Sequence, residues 1–581
     1  MNYIIRYLLI VSFLYSTDTI FPQDKDIGIE TSKTTSNGLI VSRIIVMLRG
    51  EGNVYVKDES KENQVLKAFA IGTGSAYEIN IFDFAVSKLK NLDFIQTADY
   101  KLYSEGFSDN LTLVIDVSLV LKDKKKEDEA KGIFAKGGGL DDFPVLIENN
   151  NSKFSFILTG GAGTFTDFDA FFQQGDEFTK GNPIATDPAG PGYASWLELS
   201  YELGIGGVMQ LWNQPVYPYF GVSGLLTGVT GQDLYSNVTR GFSDFEKAYL
   251  GFVYRNPDNG FLANFSAGRQ NYQLNDGLLF SRISGSANAG QRASLFLSAR
   301  TTFERSALLN LKYKYITLEG AFIEPEELDF APKNTQFLIG TLGYNNNSSI
   351  EAGISYINII NSDAKYANVQ DINMTKEGLY AINPKLWLNS VFGNSEIKLR
   401  SEFVYEGNSN FDMGAYSFYA SVGYLFEKLS LNPELTYRYS YMSGDDSSTV
   451  MYERFDPLLT GGLGNWIQGL NFRKVIGNGN IGAHRVQLDI HPKQDMLLSI
   501  DYFYLWAPEL FNVGGLPPLS TLADKHIGQE LTLTYKYFIS DRFTLLSIFS
   551  TAFPGAGIKK AFSGSTNPWT TVQLSLFMHI L

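Results

Sequence analysis

The sequence predicts an all-β protein: a transmembrane antiparallel β-barrel of about 18 strands, preceded by a small α+β domain. Three observations support this fold class. Strand-length segments that alternate between apolar and charged residues recur from residue 153 to residue 581. Beyond the N-terminus, the chain has no run of about 20 apolar residues that could form a transmembrane helix. Aromatic residues make up 14% of the chain, and tyrosine and tryptophan favour membrane interfaces.

The clearest strand pair lies at residues 484–506. Its first half alternates between two faces, and after a short polar turn at 492–495 the second half alternates again, which predicts a β-hairpin. One face of the first strand is apolar (Val486, Leu488, Ile490) and the other is polar (Arg485, Gln487, Asp489). In a soluble sandwich the apolar face would point into a dry core, whereas in a transmembrane barrel it would face lipid and the charged face would line the lumen.

Charged residues occupy the minority face of strand after strand, which favours the barrel over the sandwich. Residues 396–402, 434–438 and 485–489 show this pattern, and tyrosines lie near the ends of the apolar faces, as in an aromatic girdle. Closure of the barrel also leaves no sheet edge unpaired in lipid. We identify twenty candidate strand starts, which lie near Phe154, Ala194, Met209, Tyr219, Lys247, Phe261, Arg292, Leu308, Thr335, Ile350, Leu379, Ser395, Ala415, Leu429, Ile467, Ala483, Met496, Gly528, Arg542 and Trp569. Because some starts are false or merged, and because such barrels prefer even strand numbers, about 18 strands are expected.

The N-terminal residues 1–23 have the pattern of a secretory signal peptide. Arg6 supplies the positive charge, residues 7–15 form a short apolar core, and polar residues follow. Export of a barrel protein predicts a location in the cell outer membrane, with the N-terminal domain in the periplasm. Residues 24–38 are expected to form a polar linker. Residues 123–152 are expected to form a charged linker because they begin with a Lys- and Glu-rich run and continue into a glycine-rich stretch.

Residues 39–122 differ from the barrel in their periodicity. Strand patterns at 40–48, 94–103 and 111–121 flank helical patterns at 62–70 and 79–92, which predicts the order β-α-α-β-β. The segment resembles a POTRA domain, a periplasmic module of assembly and secretion barrels, in Gly52-Asn53, in Gly74-Ser75-x-Tyr77 and in the run at 88–95. This resemblance implies contact with periplasmic proteins. An unrelated α+β plug or linker domain is the alternative.

The composition argues against several classes of function. The net charge of −14 argues against a nucleic-acid surface, which needs clustered lysine and arginine. The chain has no cysteine and four histidines, and it contains neither an H-E-x-x-H motif nor a P-loop. We therefore expect no catalytic residues, no cofactor and no metal, although the pair Asp445-Asp446 leaves a cation site or acid–base role as a minor alternative.

Three stretches of the barrel resemble the alginate-export family of outer-membrane porins. The first combines Gly268-Arg269-Gln270 with Asn275-Asp276-Gly277-Leu278-Leu279; the others are the loop at 441–457 and the closing hairpin at 526–555. The resemblance implies a barrel of about 18 strands whose lumen passes anionic polysaccharide or small solutes without energy input. The POTRA-like segment is not typical of that family.

An anionic solute requires fixed cations along its path, because guanidinium groups must replace the water around each carboxylate. Strand alternation places five arginines on the lumen face, and the family resemblance adds Arg269, which strict alternation would place on the lipid face unless a bulge at Gly268 changes the phase. The predicted lumen residues are Arg269, Arg292, Arg300, Arg400, Arg438, Asp445, Arg485 and Asp489. The alternative is that the arginines form salt bridges that only hold the wall rigid.

The leading functional hypothesis is a passive outer-membrane channel for anionic polysaccharide or small polar solutes. Its expected partners are outer-membrane lipid and the solute, with no nucleic acid. The second hypothesis is a secretion or assembly barrel that captures protein substrates through residues 39–122 by strand addition. An outer-membrane enzyme is a third hypothesis, supported only by the acidic loop pairs.

Overall fold

The computed structural model of the protein describes most of the chain. The described residues are 29–31, 40–50, 55–69, 71, 77–90, 92–104, 110–119, 131–182, 184–190, 192–212, 214–256, 259–283, 285–286, 293–346, 349–366, 374–391, 394, 396–460, 466–493, 495–514, 519–540, 542–562 and 566–580. The predicted signal peptide, the two Gly-containing motifs at 52–53 and 74–75, and Arg292 lie outside them.

The N-terminal domain is a four-stranded sheet covered by two helices. Its elements are β1 (Ile29–Thr31), β2 (Ile40–Arg49), α1 (Glu59–Phe69), α2 (Ile79–Leu89), β3 (Ile95–Ser104) and β4 (Asn110–Leu119). The sheet order is β1-β3-β4-β2, and only β2 and β4 run parallel. The predicted β-α-α-β-β order is present, with β1 added from the predicted linker at 24–38. Among the described residues, no helix is both long and apolar enough to cross a bilayer.

Helical periodicity explains how α2 covers the sheet. Phe82, Val86 and Leu89 recur at intervals of three to four residues and are buried in the core of the domain. Tyr77, just before the helix, donates to or accepts from the hydroxyl of Tyr100 on β3 at 2.7 Å. This bond satisfies two buried polar groups inside an otherwise apolar core.

The rest of the described chain is a closed antiparallel barrel. Its strands are β5 (Val145–Asn149), β6 (Ser152–Phe168), β7 (Ala194–Met209), β8 (Val216–Gln232), β9 (Arg240–Asn256), β10 (Phe261–Gln270), β11 (Phe303–Tyr313), β12 (Ile316–Glu324), β13 (Gln336–Asn345), β14 (Ile350–Asn361), β15 (Leu379–Leu388), β16 (Ile397–Asn408), β17 (Ala415–Leu425), β18 (Glu434–Met442), β19 (Ile481–Lys493), β20 (Met496–Trp506), β21 (His526–Ser540), β22 (Phe543–Pro554) and β23 (Trp569–Ile580). Short helices α3 (Gly175–Phe178) and α4 (Ala556–Ala561) lie in loops.

Eighteen strands, β6 to β23, form the ring. Each pairs with its neighbours in sequence, and β23 pairs with β6 to close the sheet. The short strand β5 pairs only with the start of β6, so the predicted linker at 123–152 is wrong in its last part, where β5 and its turn belong to the barrel. The predicted strand number and fold class are confirmed.

The outer surface of the ring is apolar. Alternate residues of each strand are exposed leucine, isoleucine, valine, phenylalanine or tyrosine, whereas their neighbours on the inner face are largely buried. Exposed examples from around the ring are Leu203, Leu226, Phe252, Leu318, Leu342, Ile354, Phe403, Val486, Leu533 and Leu574. Such a continuous apolar surface is stable against hydrocarbon and unstable against water. The sandwich alternative, with these rows packed in a dry centre, is therefore wrong.

The two ends of the barrel differ. At one end, which we call the short-turn end, brief connections such as 314–315, 494–495 and 541–542 join the strands. At the other, the long-loop end, the connections include 169–193, 271–302 and 443–480. Outer-membrane barrels have short turns on the periplasmic side and long loops outside.

Three predicted strand starts are wrong, those near Arg292, Ile467 and Met209. The segment after Arg292 is not a strand but part of loop 271–302, which folds into the barrel with positive φ angles at Ala293, Ser294 and Ser298. The start near Ile467 lies in loop 443–480, which contains a short 3₁₀ turn, Phe472–Lys474. Met209 is the last residue of β7 and begins no strand, whereas the predicted start at Tyr219 lies inside β8.

Candidate functional site

The inner wall is lined by charged side chains that pair either between neighbouring strands or between a strand and the next but one. The ion pairs are Lys247–Glu202 at 2.9 Å, Lys385–Glu351 at 2.6 Å, Lys398–Glu434 at 3.5 Å and Arg485–Asp501 at 2.7 Å. Period-two alternation produces this lining, because every second residue of a wall strand points inward. The lumen face predicted from the sequence is therefore polar, and much of its charge is compensated within the wall.

Three of the predicted arginines lie in one row that crosses four adjacent strands. Arg400 on β16 is opposite Ser421 on β17, Ser421 is opposite Arg438 on β18, and Arg438 is opposite Arg485 on β19. We call Arg400, Arg438 and Arg485 the arginine row. Two like charges directly opposite each other destabilise a sheet, so the pair Arg438–Arg485 requires compensation from its surroundings.

Aromatic rings and one carboxylate supply that compensation. The guanidinium of Arg438 lies 4.2 Å from the ring centre of Trp466, and that of Arg400 lies 5.3 Å from Trp387. Arg485 donates to Asp501 at 2.7 Å. Because a stacked guanidinium keeps its in-plane N–H groups directed away from the ring, stacking holds the cation without neutralising it.

Arg269 and Arg300 converge on one carboxylate away from the arginine row. Arg300, in loop 271–302, donates to both oxygens of Glu326 at 2.7 and 2.8 Å, and a nitrogen of Arg269 lies 2.8 Å from the same group. The register of β10 against β11 shifts between Gly268 and Gln270, so the predicted bulge is present and turns Arg269 inward. Gly268 has a φ of 126°, and a Cβ there would lie 2.2 Å from the carbonyl of Ala248. Glu326, in the connection after β12, thus links Arg300 of loop 271–302 to Arg269 of the wall.

The two predicted acidic residues have separate environments. Asp489 is buried on β19, where it accepts hydrogen bonds from Ser499 at 2.5 Å and from Gln487 at 2.9 Å. Asp445 lies in loop 443–480 and accepts from the backbone N–H of Glu453 at 3.0 Å. Burial raises the pKa of Asp445 above its ordinary value, although that N–H opposes the shift. Neither residue contacts the arginine row through these bonds.

Loops 271–302 and 443–480 meet inside the barrel at the long-loop end. Phe280 and Leu459 form a β-bridge between them, and the amide of Leu459 donates to the carbonyl of Leu279 at 3.0 Å. Their apolar side chains join inward-facing wall residues in one core that includes Trp196, Trp466 and Trp569. The loops therefore occupy the long-loop half of the lumen and leave the polar wall exposed mainly towards the short-turn half.

Buried wall carboxylates hold both loops by accepting backbone N–H groups. Glu198 on β7 accepts from Phe296 at 2.9 Å and Leu297 at 2.8 Å, and Glu246 on β9 accepts from Thr301 at 2.7 Å and Thr302 at 3.1 Å. Loop 443–480 is held in the same way: Glu530 accepts from Asn471 and Phe472, and Glu406 accepts from Asp456. Sequence analysis did not identify these four glutamates as anchors of the loops. Strand alternation places each of them on the inner face, in the half of its strand that lies nearest a long loop.

The motif Asn275-Asp276 docks on the wall beside the arginine row. Asp276 accepts from the Trp466 indole at 3.0 Å and from the Tyr419 hydroxyl at 3.1 Å, and Asn275 donates to Glu402 at 3.1 Å. Trp466, which stacks on Arg438, is thus fixed by Asp276. This stretch, singled out by its family resemblance, positions the loop rather than contacting bulk lumen.

Burial acts to raise the pKa of Asp456 in loop 443–480, but Lys376 at 2.6 Å holds that pKa below its ordinary value. Tyr366 donates to the same carboxylate at 2.8 Å. Among the described residues, no group of three or more His, Asp or Glu side chains is arranged to hold a metal ion.

Comparison with known proteins gives only distant likenesses. No protein-family model matches the chain, and no curated protein matches it. Similar solved structures from Pseudomonas aeruginosa include OccK5 (OpdH), with 13% identity, 73% of this chain and 98% of that chain covered, and a TM-score of 0.42. OccK11 (OpdR) has 12% identity, 74% and 96% coverage, and a TM-score of 0.41. The outer-membrane protein OpdK has 9% identity, 73% and 98% coverage, and a TM-score of 0.43. The alginate-export and POTRA resemblances stay predictions, and the function has to be inferred from the barrel itself.

Proposed function

We propose that the protein is an outer-membrane channel through which small polar solutes diffuse without energy input. The observation that carries this proposal is the opposite character of the two faces of one closed sheet: apolar side chains outside and paired charges inside. A hydrocarbon environment outside and water inside satisfy both faces at once, and closure leaves no strand edge unpaired in lipid.

The asymmetry of the barrel ends supports one orientation. The short-turn end would face the periplasm and the long loops would face outward, as in bacterial outer-membrane barrels. The N-terminal domain lies at the short-turn end, because Lys88 of α2 donates to Gln210 in the turn between β7 and β8 at 3.0 Å. Strand arrangement and domain position therefore agree with a periplasmic N-terminal domain.

The solute is proposed to be small and anionic. Loops 271–302 and 443–480 pack together and fill part of the long-loop half, an arrangement that suits a small solute better than a polysaccharide chain. In the arginine row, Arg400 and Arg438 are cations stacked on Trp387 and Trp466. Export of an anionic polysaccharide would require both loops to leave the lumen.

Electrical measurement on a planar bilayer tests this proposal. The full chain should give steady conductance with a preference for anions. The double variant Arg438→Met/Arg485→Met removes two lumen charges and should shift the reversal potential in a salt gradient towards cation preference. Arg305→Met is the matched control, because it removes an arginine charge from a side chain that is 67% exposed. Unchanged ion preference in the double variant would exclude the row from the solute path.

A second candidate function rests on the edge of the N-terminal sheet. Strand β2 is the last strand in the order β1-β3-β4-β2; apart from its end, where Arg49 forms a bridge with Tyr55, its outer edge is a place where an extended polypeptide can add. We therefore retain, as the alternative proposal, a secretion or assembly barrel that captures protein substrates through residues 39–122. Retention of unfolded polypeptide by the full chain, and its loss after deletion of residues 39–122, would favour this alternative.

A further inference from the structure

Helix α2 of the N-terminal domain inserts a side chain into the mouth of the barrel. Phe84 is 3% exposed, yet it does not belong to the core of its own domain. It packs on inward-facing wall residues of β7 to β10 at the short-turn end. These are Val208, Tyr219, Tyr249, Val253 and Leu262, with Tyr217 in edge contact at a ring distance of 5.9 Å. The domain therefore occupies a pocket that belongs to the lumen.

Polar contacts surround this apolar anchor. Lys153, at the start of β6, pairs with Asp83 of α2 at 2.6 Å, and Asp83 also accepts from the Tyr100 hydroxyl at 2.6 Å. Arg255 at the end of β9 donates to the carbonyl of Lys67 in α1 at 3.2 Å. The Asp83–Lys153 pair is largely buried, and separating the domain from the wall breaks it, which leaves Lys153 with Glu148 of β5 at 4.0 Å.

The domain is as wide as the mouth it sits in. A compact domain of about 80 residues has a radius of gyration of about 12 Å and hence a width of about 30 Å. Eighteen strands spaced about 4.8 Å apart and tilted by about 40° form a ring about 36 Å across, which inward side chains narrow to about 26 Å. A domain seated on one arc of this ring, from β6 to β10, overhangs most of the opening.

We propose that the N-terminal domain is a stopper that closes the short-turn mouth when docked and opens it when Phe84 leaves its pocket. This inference rests on the proposed channel function. The interface suits a reversible stopper, because it consists of one aromatic anchor, one buried ion pair and a few hydrogen bonds. Inter-domain contacts of this limited kind permit relative motion of the two parts.

Covalent tethering in the full chain tests the stopper. The chain has no cysteine, so a pair introduced as Lys88→Cys and Gln210→Cys is the only target for a cleavable bismaleimide. The native side chains at these positions touch across the interface at 3.0 Å. The control pair, Gln210→Cys with Gln214→Cys, places the same reagent within one barrel turn, where the native residues are also in contact.

We expect bridging of the first pair to lower the single-channel conductance at least about twofold, since the domain is as wide as the mouth, and cleavage to restore it. Bridging of the control pair should leave the conductance unchanged. Phe84→Ala, which removes the anchor without touching the core of the domain, should raise the conductance or the open time of the unbridged protein.

Equal conductance in the bridged, cleaved and Phe84→Ala proteins overturns the stopper while leaving the channel intact. A fall in conductance with both pairs overturns it as well, because the reagent rather than the domain would then block the path. A chain that stays electrically silent in every state, Phe84→Ala included, overturns the channel function and the stopper with it.

Discussion

Replacement of Glu198 by alanine should release one segment of loop 271–302 while the rest of the loop stays in place. Glu198 is 1% exposed, and one of its oxygens accepts from the amides of Phe296 and Leu297. The other oxygen accepts from the Trp196 indole at 3.2 Å. Alanine removes every acceptor at once and leaves two buried backbone donors without a partner in the wall.

The magnitude follows from these two bonds. A hydrogen bond to a charged group contributes about 1.5–3 kcal/mol, so loss of two costs at least about 3 kcal/mol of local opening free energy. Because each 1.4 kcal/mol is a factor of about ten, amide hydrogen exchange at 296–297 should accelerate by at least about 100-fold. Glu198→Gln keeps a neutral acceptor oxygen and should accelerate exchange by a smaller factor.

Hydrogen exchange followed by mass spectrometry measures this local opening in folded protein. Peptides that contain 296–297 should respond to Glu198→Ala, and peptides that contain 301–302 should respond instead to Glu246→Ala, so that each variant is the control for the other. If both peptides keep their protection in both variants, the wall carboxylates do not anchor the loop. If both lose it together, the loop opens as one unit and the separate anchors are wrong.

Three further predictions address the bulge, the lipid face and the loop contact. Gly268→Ala should reduce the stability of the refolded barrel in urea, because alanine is strained at a φ of 126° and its Cβ would clash with the Ala248 carbonyl. The control Gly340→Ala should leave this stability unchanged, because its Cβ would have no neighbour within 4 Å. Leu342→Arg should destabilise the barrel in lipid by about 2–4 kcal/mol, and the inward neighbour substitution Thr317→Arg should cost less; equal costs would contradict the assigned faces. Asp276→Ala should let liposomes swell faster in an oligosaccharide, and an unchanged rate would show that this contact does not narrow the path.

The sequence predicts the barrel well because its signal is local. A period of two needs only a few residues to assign both faces, and the phase read at Arg400, Arg438 and Arg485 holds in the structure. The prediction of strand boundaries fails where turn-forming residues are absent or where the local pattern is misleading. Strand β12 was not separated from β11, because only Lys314 and Tyr315 connect them, without the Gly, Asn or Pro that usually marks a hairpin. The strand predicted after Arg292 shows the opposite error, since alternation occurs there by chance in a loop.

The site is less predictable, because its decisive contacts join residues far apart in the chain. Arg300 has the correct inward position for an incorrect reason: its loop, not a strand, carries it to Glu326. The anchoring role of Glu530 depends on where Asn471 and Phe472 lie after folding, which no local pattern encodes. The insertion of Phe84 into the wall could not be predicted either, because an aromatic residue on an amphipathic helix is expected to belong to the core of its own domain.

Position along a strand decides what an inward carboxylate does in this barrel. Near the long-loop end, Glu198 and Glu530 accept loop amides, and farther from that end, Glu202 and Glu351 pair with lysines. An acid bound in either way is compensated locally, so the net charge of −14 overstates the negative field in the lumen. In the arginine row, Arg400 and Arg438 stack on Trp387 and Trp466, and Arg485 pairs with Asp501. If the proposed channel prefers anions although the whole chain is acidic, the reversal potential of the Arg438→Met/Arg485→Met variant tests whether this row sets that preference.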